Sequence, residues 1–217
     1  MEKTEKKLLK LVTTLVLITA VSAMALSAVF LVTEEPIAEI KAQRSNAAKI
    51  AVLPDFDINT GTLVVKKVQI EELKDSLIVT LALMDDEIFG AAVATHTMMG
   101  FSGRFDIMVG FDREGNILNT EVLSHQETPG LGDKMDKRKD KFPLQFAGKN
   151  PGTNNLSVRK DGGEIDAITA ATITSRAFSN AVMNAWKAYQ IALINYELKQ
   201  HEIATGTVAT EKEENYE

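Results

Sequence analysis

Three threonines, Thr169, Thr172 and Thr174, lie within six positions of each other, directly before a stretch with helical periodicity. A threonine at a helix N-terminus can cap it, and Thr172 and Thr174 are both placed to cap a helix that begins near Ser175. The same helix end also favours an anion, because its free N–H groups and the macrodipole attract negative charge. A threonine hydroxyl without a base or a metal is a poor nucleophile. Any covalent link here would therefore need a separate enzyme, with Asp166 as part of what that enzyme recognises.

A second stretch with chemical potential is the loop sequence His125-Gln-Glu-Thr-Pro-Gly-Leu-Gly132. Pro129 and Gly130 suit the central positions of a type II turn, because proline fixes φ and glycine accepts a positive φ. Such a turn exposes backbone N–H groups that can approach a flat ring or a phosphate closely. An ordinary surface loop is the alternative. A metal site at His125 and Glu127 is disfavoured, since zinc takes at least three protein ligands.

The elements that must position these stretches have the pattern of an α+β domain. Alternating, β-branched segments predict short antiparallel strands at residues 62–68, 76–83, 91–97, 104–109 and 117–123. One more strand, interrupted by Asp161-Gly-Gly, is predicted within residues 158–168. Apolar residues at intervals of three and four predict a helix over residues 175–198, with one core-facing stripe. A mostly antiparallel sheet with packed helices follows from this order of elements.

Three further features are interpreted without a functional role. The charged segment 133–141 predicts a solvated helix. The acidic residues 205–217 predict a disordered tail. His96 and His201 have no motif around them and are interpreted as structural or solvated.

The N-terminus carries the clearest signal for a membrane segment. Residues 11–32 form a run of 22 residues without a charge, which is long enough to cross a bilayer as a helix. Lysines precede this run, and Glu34 and Glu35 follow it, so the positive-inside rule predicts a cytoplasmic N-terminus and an extracytoplasmic domain. A cleaved signal peptide is the alternative, because small residues at Val21-Ser-Ala-Met-Ala and Leu26-Ser-Ala offer cleavage sites. The apolar run is longer than a usual signal segment, which favours the anchor.

The sequence predicts five segments. These are a cytoplasmic N-terminus (residues 1–10), a transmembrane helix (11–32), a linker with a short polar helix (33–60), a folded domain (61–200) and an acidic tail (201–217). The net charge of −6 and the absence of a basic patch argue against a nucleic-acid partner. The chain has no cysteine, which excludes disulfides, thiolate metal sites and cysteinyl cofactor links.

Three ordered motifs resemble those of a known family. Asp166-Ala-Ile-Thr-Ala-Ala-Thr172 resembles the flavinylation motif D-x-x-[S/T]-[G/A]-A-T of FMN-binding domains. In that family the last threonine carries FMN through a phosphoester bond that a flavin transferase installs. The loop 125–132 resembles a second motif of the same domain, and Gly100-Phe-Ser-Gly103 resembles a third, usually G-Y-S-G. Their order behind one N-terminal anchor is similar to the G subunit of the Rnf (Rsx) ion-translocating electron transport complex.

The resemblance implies the site residues. Thr172 corresponds to the FMN attachment site, with Thr169 and Asp166 in the recognition and phosphate surroundings. The residues expected to line or approach the flavin are His125, Glu127, Thr128, Gly130, Leu131, Gly100, Ser102 and Gly103.

The chain departs from the family pattern at three positions. Ala170 stands where the family motif most often has glycine. Phe101 replaces the usual tyrosine, so the hydroxyl is absent, and Arg104 stands where proline is frequent and adds a cation. None of these changes removes the acceptor threonine, so they affect expected contacts and leave the expectation of flavinylation in place.

The resemblance also implies a function. We expect a membrane-anchored flavoprotein that relays electrons between ferredoxin and NAD within a complex coupled to Na⁺ or H⁺ transport. Its partners would be the other membrane subunits and, during maturation, a flavin transferase; residues 11–32 contain no ionisable group, so ion conduction would belong to other subunits. One alternative is the C subunit of the Na⁺-translocating NADH:quinone reductase, for which the chain is short. Another is a non-catalytic, membrane-anchored binding module with capping threonines and a structural Pro-Gly loop.

Overall fold

The computed structural model describes residues 2–57, 60–70, 73 and 75–205. The chain forms two compact units, Met1–Asn46 and Ala47–Glu217. Most of the predicted acidic tail lies outside the described residues.

Helix α1 spans Glu2–Val52 and continues through Pro36. It contains the uncharged run 11–32 and is long and apolar enough to cross a membrane. The short polar helix predicted in the linker, over residues 36–46, is part of α1, and the structure extends it to Val52 because Ala47, Ala48 and Lys49 continue a helix-favouring sequence. Ala48 and Val52, in the last turn, belong to the second unit and are buried against its sheet.

The second unit is built on a five-stranded antiparallel sheet in which strand order follows chain order. The strands are β1 (Thr62–Ile70), β2 (Asp75–Met84), β3 (Glu87–Gly100), β4 (Gly103–Asp112) and β5 (Ile117–Ser124). All five predicted strands are confirmed, each extended by one or more residues. Neighbouring strands form hairpins because short polar turns, such as 113–116, separate them. Strand β3 ends and strand β4 begins at the turn formed by residues 101–102, which belongs to the site described below.

Helix α2 (Thr172–Thr205) covers one face of this sheet and closes the main core. Phe178 on the helix is fully buried among the rings of Phe105, Phe142 and Phe146, at centroid distances of 5.1 to 6.4 Å. Each such buried aromatic contributes about 2–3 kcal/mol of hydrophobic free energy. The opposite sheet face buries a smaller cluster around Val52. The fold predicted from sequence, an antiparallel sheet with packed helices, is confirmed.

Two local predictions are wrong. Residues 133–141 do not form a solvated helix, since only a 3₁₀ turn, Gly132–Met135, is present and the rest is irregular. Asp133 and Asp136 are buried there, paired with Lys139 at 2.7 Å and Arg138 at 2.6 Å. Hydrogen bonds from these cations lower the pKa of both carboxyls, against the effect of burial. The charges therefore pair within the turn, where the pattern alone suggested solvation.

Residues 158–168 do not form a strand either. A single parallel bridge joins Val158 and Ile165, and a 3₁₀ turn occupies Arg159–Asp161. Gly162 has a φ of +83°, which reverses the chain before a strand can extend.

Candidate functional site

A cleft of about 290 Å³ brings the three sequence motifs together. Its lining residues come from the β3–β4 turn, the loop after β5 and the start of α2: Phe101, Glu127, Thr128, Leu131, Gly132, Ala170, Ala171, Thr172, Ile173 and Thr174. Phe101, Leu131 and Ile173 are exposed apolar side chains. No lysine or arginine lines the cleft among the described residues. An apolar cleft with few polar groups suits a flat aromatic ligand.

The start of α2 differs from the predicted capping arrangement. The N–H of Ser175 donates to the carbonyl of Ala171 at 3.0 Å, so Ala171 is the N-cap and Thr172 is the first helical residue. Thr174 is fully buried in the first turn, so capping by Thr172 or Thr174 is wrong. The hydroxyl of Ser175 instead accepts from the N–H of Ile168 at 2.9 Å and donates to Ala171 at 3.0 Å. The backbone N–H groups of the first turn remain available to an anion.

Thr172 is the threonine of this segment that combines an unbonded hydroxyl with a place on the cleft wall. It is half-buried on the cleft wall, and no hydrogen bond within the described part of the chain engages its side chain. The hydroxyl of Thr174 donates to Glu127 at 3.0 Å. Thr169 is exposed in the turn that precedes the helix and does not line the cleft.

Ala170 has a left-handed backbone conformation, with φ of +61°. This conformation costs a non-glycine residue about 1–2 kcal/mol, because Cβ approaches the following carbonyl oxygen. This cost explains why glycine is the commonest residue at this position of the family motif that segment 166–172 resembles. The left-handed turn is needed whether the residue is alanine or glycine, because it leads the chain from the buried Ile168 into α2.

The Thr128–Leu131 turn confirms the predicted type II geometry. Gly130 has a φ of +78°, and the N–H of Leu131 donates to the carbonyl of Thr128 at 3.1 Å. Of the residues expected to line the flavin, Thr128 and Leu131 line the cleft, whereas Gly130 is exposed outside the lining. Gly130 therefore acts through the turn that it permits.

Glu127 connects the segments of the site. It is buried, and its carboxylate accepts from the backbone N–H of Ser102 at 3.3 Å and from the hydroxyl of Thr174 at 3.0 Å. Its own N–H donates to Nδ1 of His125 at 3.2 Å. His125 thus shapes the loop and does not line the cleft.

The Gly100–Gly103 turn lies against the same carboxylate. A Cβ on Gly100 would collide with Glu127 and with the carbonyl of Gly103, so only glycine fits there. Gly103 has a φ of +94°, which closes the two-residue turn. Phe101 at the tip is 68% exposed and contributes its ring to the cleft. These contacts explain the two glycines of the third motif.

Arg104 and Asp166 lie outside the cleft. Arg104 pairs with Asp106 at 2.8 Å, where burial alone would raise the pKa of Asp106 but hydrogen bonds from Arg104 and Ser124 lower it. The expected cation near the site is therefore neutralised. The carboxylate of Asp166 is exposed and pairs with Arg159 at 2.6 Å. Its position on the surface is compatible with recognition by another protein and places it outside the cleft wall.

The two histidines outside the motifs have no part in the cleft. Nε2 of His96 lies 3.5 Å from Asp75, and His201 is exposed near the end of α2. Within the described residues no group of three or more metal-ligating side chains occurs.

Some lining residues were not predicted from the sequence. Ala171, Ile173 and Thr174 line the cleft because the first turn of a helix shows consecutive residues to one opening. Gly132 also lines it, and a Cβ at this position would collide with Glu127. Its place at the end of the loop motif was a usable signal, whereas the contact itself depends on the folded arrangement.

The comparisons with known proteins agree with this geometry. Residues 100–187 match the family model of the FMN-binding domain, which covers all three motifs. The G subunit of the ion-translocating oxidoreductase complex from Vibrio atlanticus is 44% identical over 123 residues, which span 54% of this chain and 59% of that protein. In two strains of Aliivibrio fischeri, proteins of the same name are 36% and 34% identical over 174 and 190 residues. These alignments span 76% and 82% of this chain, and 83% and 90% of the relatives.

The two longer alignments cover more than two thirds of this chain and of each relative. The chain therefore belongs to the family of G subunits of the ion-translocating oxidoreductase complex, and it contains the FMN-binding domain of that family.

Proposed function

We propose that this chain carries FMN through a phosphoester bond to Thr172 and relays electrons within a membrane-bound, ion-translocating oxidoreductase complex. The observation that carries the attachment is the difference between the three threonines. Thr172 has a free hydroxyl on the cleft wall at the first position of α2, Thr174 is fully buried and bonded to Glu127, and Thr169 is outside the cleft.

The helix end supports a phosphodiester at this residue. A phosphodiester keeps one negative charge, and the described cleft lining supplies no cation to neutralise it. The free N–H groups of the first turn and the positive end of the macrodipole stabilise such a charge. A phosphate attached at the first helical position therefore needs no arginine or lysine.

The remaining cleft residues fit the flavin ring. Phe101, Leu131 and Ile173 offer apolar contact, and the backbone at Gly100 and Gly132 leaves no space for side chains. Bound FMN would supply one- and two-electron transfer, and the protein would orient the ring and tune its potential. The named relatives are G subunits, which favours this complex over the C subunit of the Na⁺-translocating quinone reductase.

Attachment requires a separate enzyme and an activated flavin. A flavin transferase would present FAD, so that a bond forms between the Thr172 oxygen and the FMN phosphorus while the phosphoanhydride bond breaks and AMP leaves. The hydroxyl proton would pass to a base of the transferase, because the free threonine hydroxyl has no base bonded to it in the described part of the chain. No electron transfer accompanies this step.

The same proposal includes the topology. Lys3, Lys6, Lys7 and Lys10 precede the apolar run and Glu34 and Glu35 follow it, which supports a cytoplasmic N-terminus and an extracytoplasmic flavin domain. The helix would anchor the domain beside the other subunits of the complex. A covalent tether suits that compartment, where lost FMN would not be replaced.

The test is co-expression of the full chain with a flavin transferase, followed by denaturation. We expect a band that remains fluorescent under ultraviolet light, and mass spectrometry should find FMN on the tryptic peptide 161–176. Thr172→Val should abolish the label, while Thr169→Ser, which keeps the hydroxyl of the motif, should retain it. A colourless wild-type chain, or FMN attached at His125, would overturn the proposal.

A further inference from the structure

The carboxylate of Glu127 joins two segments that are far apart in the sequence. One oxygen accepts from the backbone N–H of Ser102 in the β3–β4 turn, at 3.3 Å, and the other accepts from the hydroxyl of Thr174 in α2, at 3.0 Å. We call this arrangement of Ser102, Glu127 and Thr174 the Glu127 bridge. Glu127 is only 5% exposed and Thr174 is fully buried, so the bridge is shielded from solvent.

Glycines on both sides restrict the carboxylate. A methyl group on Gly100 would collide with one carboxylate oxygen, and a methyl group on Gly132 would collide with the other. The same group on Gly132 would also lie 2.9 Å from the hydroxyl oxygen of Thr174. The two glycine backbones therefore leave the carboxylate of Glu127 only the space that it occupies between them.

The bridge acts on the first turn of α2. Thr174 and Thr172 belong to the same helical turn, so a bond that fixes Thr174 also fixes the rotation and tilt of the turn that carries Thr172. The bond to Ser102 sets the β3–β4 turn, whose Phe101 forms another part of the cleft. No lysine or arginine forms an ion pair with Glu127 in the described part of the chain, so its bonds go to these two neutral donors.

We propose that Glu127 is a positioning residue for the attachment of FMN: through Thr174 and Ser102 it holds the acceptor turn and the cleft wall in the arrangement that the flavin transferase uses. This inference rests on the proposed attachment at Thr172. The role assigns to Glu127 no proton transfer and no contact with the reacting phosphorus. Its requirement is therefore length and hydrogen bonding, with no requirement for charge.

The test measures the rate at which the purified full chain, in detergent, takes up FMN from FAD in the presence of a purified flavin transferase. Thr174→Val and Glu127→Ala each remove a hydrogen bond to a buried group, which should slow the rate about tenfold or more. Thr174→Ser should restore it. Ser179→Ala is the matched control in α2, because the Ser179 hydroxyl is buried and has no hydrogen-bond partner among the described residues.

Two conservative changes at Glu127 separate positioning from acid–base chemistry. Glu127→Gln keeps the length, and its carbonyl can accept from Ser102 while its amide donates to Thr174, so the rate should stay near that of the wild type. Glu127→Asp keeps the charge but is one methylene shorter, so it cannot reach both partners and the rate should fall as in the alanine variant. A proton-accepting role would give the reverse order, with Asp partly active and Gln inactive, and would overturn the inference.

The outcomes distinguish this inference from the proposed function. A wild-type chain that takes up no FMN would overturn the attachment itself. A labelled wild type together with wild-type rates in the Glu127→Asp, Glu127→Ala and Thr174→Val variants would overturn the bridge alone. Rates are compared below the melting temperature of each variant, and the absorption spectrum of the attached flavin provides a second readout. That spectrum should shift in Glu127→Asp, because the cleft wall moves, and should match the wild type in Glu127→Gln.

Discussion

The side-chain amide of Gln145 holds the backbone of Asp166 at both of its polar groups. The N–H of Asp166 donates to Oε1 of Gln145 at 2.8 Å, and Nε2 of Gln145 donates to the carbonyl of Asp166 at 3.1 Å. The glutamine thus pairs with the chain as a neighbouring strand would. Asp166 is the first residue of the segment 166–172 that resembles the flavinylation motif, so this contact fixes the position of the backbone where that segment begins.

Gln145→Ala should destabilise the domain by about 1–3 kcal/mol, because its two hydrogen bonds to the Asp166 backbone, of about 0.5–1.5 kcal/mol each, are lost together with a longer one of 3.3 Å to the carbonyl of Phe142. Thermal unfolding of the full chain in detergent measures the change. Leu144→Ala, at an exposed neighbour, is the control and should have little effect. We also expect slower FMN attachment in Gln145→Ala, since the exposed carboxylate of Asp166 would lose its fixed position. An unchanged rate together with lower stability would limit the role of Gln145 to the fold.

Ala170→Gly should stabilise the chain by about 1 kcal/mol. Ala170 has a φ of +61°, and glycine adopts this conformation without the clash of Cβ, although it gains more freedom in the unfolded state. Ala167→Gly is the matched control within the same motif, because Ala167 has no positive φ and should only lose stability. Thermal unfolding of both variants decides the prediction. Equal losses in the two would show that the left-handed turn carries no strain.

The sheet and α2 could be predicted from the sequence because their patterns are local. Alternation in β2 and β4 and the apolar stripe around Phe178 each follow from residues within one element. The segment 133–141 could not be predicted, because its lysines and aspartates look solvated until Asp133 is seen to pair with Lys139 six residues later. Charge density alone does not reveal such pairing.

The site was partly predictable for the same reason. The turn at Gly130 could be predicted from local chemistry, because glycine accepts a positive φ, whereas Thr172 was singled out by the resemblance of its motif to that of a known family. The bond between Glu127 and Thr174 spans 47 positions and depends on how α2 packs beside the loop after β5. The sequence therefore suggested a cap at Thr174, whereas the fold uses its hydroxyl to hold a buried carboxylate.

Gly110→Ala should strongly destabilise the second unit or prevent its folding. A Cβ at Gly110 in β4 would overlap the backbone carbonyl of Val52, at the end of α1, and a backbone group cannot rotate away. The close approach also lets the Asn119 side chain donate to the carbonyl of Ala51 at 2.8 Å. Asn119→Ala, which removes that bond without adding bulk, is the comparison and should cost only about 1 kcal/mol. The two effects are measured by thermal unfolding; equal values would contradict the predicted overlap.

The buried tyrosine of α2 predicts how stability falls at high pH. Tyr189 is fully buried, its ring is stacked on Phe111 at 5.2 Å, and its hydroxyl donates to the carbonyls of Asp112 and Arg113, both at 3.0 Å. Burial, with the nearby charge of Asp112, raises the pKa of Tyr189 from 10.0 to about 12. Between these values the unfolded chain loses the phenolic proton and the folded chain keeps it. The stabilisation is therefore complete below pH 10 and is lost as the pH rises towards 12.

Tyr189→Phe isolates this contribution, because the chain has two other tyrosines, Tyr196 and Tyr216. The variant should be about 1 kcal/mol less stable than the wild type at pH 8, since it lacks the hydroxyl. This difference in stability should shrink as the pH is raised from 10 towards 12. In that range the unfolded wild type loses the Tyr189 proton while the folded wild type keeps it, so the wild type loses stability, and the Phe variant has no such proton to lose. Thermal unfolding across this range, with ultraviolet titration of tyrosinate in both proteins, tests the prediction. A Tyr189 signal that titrates near pH 10 in the folded protein would contradict the burial of its hydroxyl.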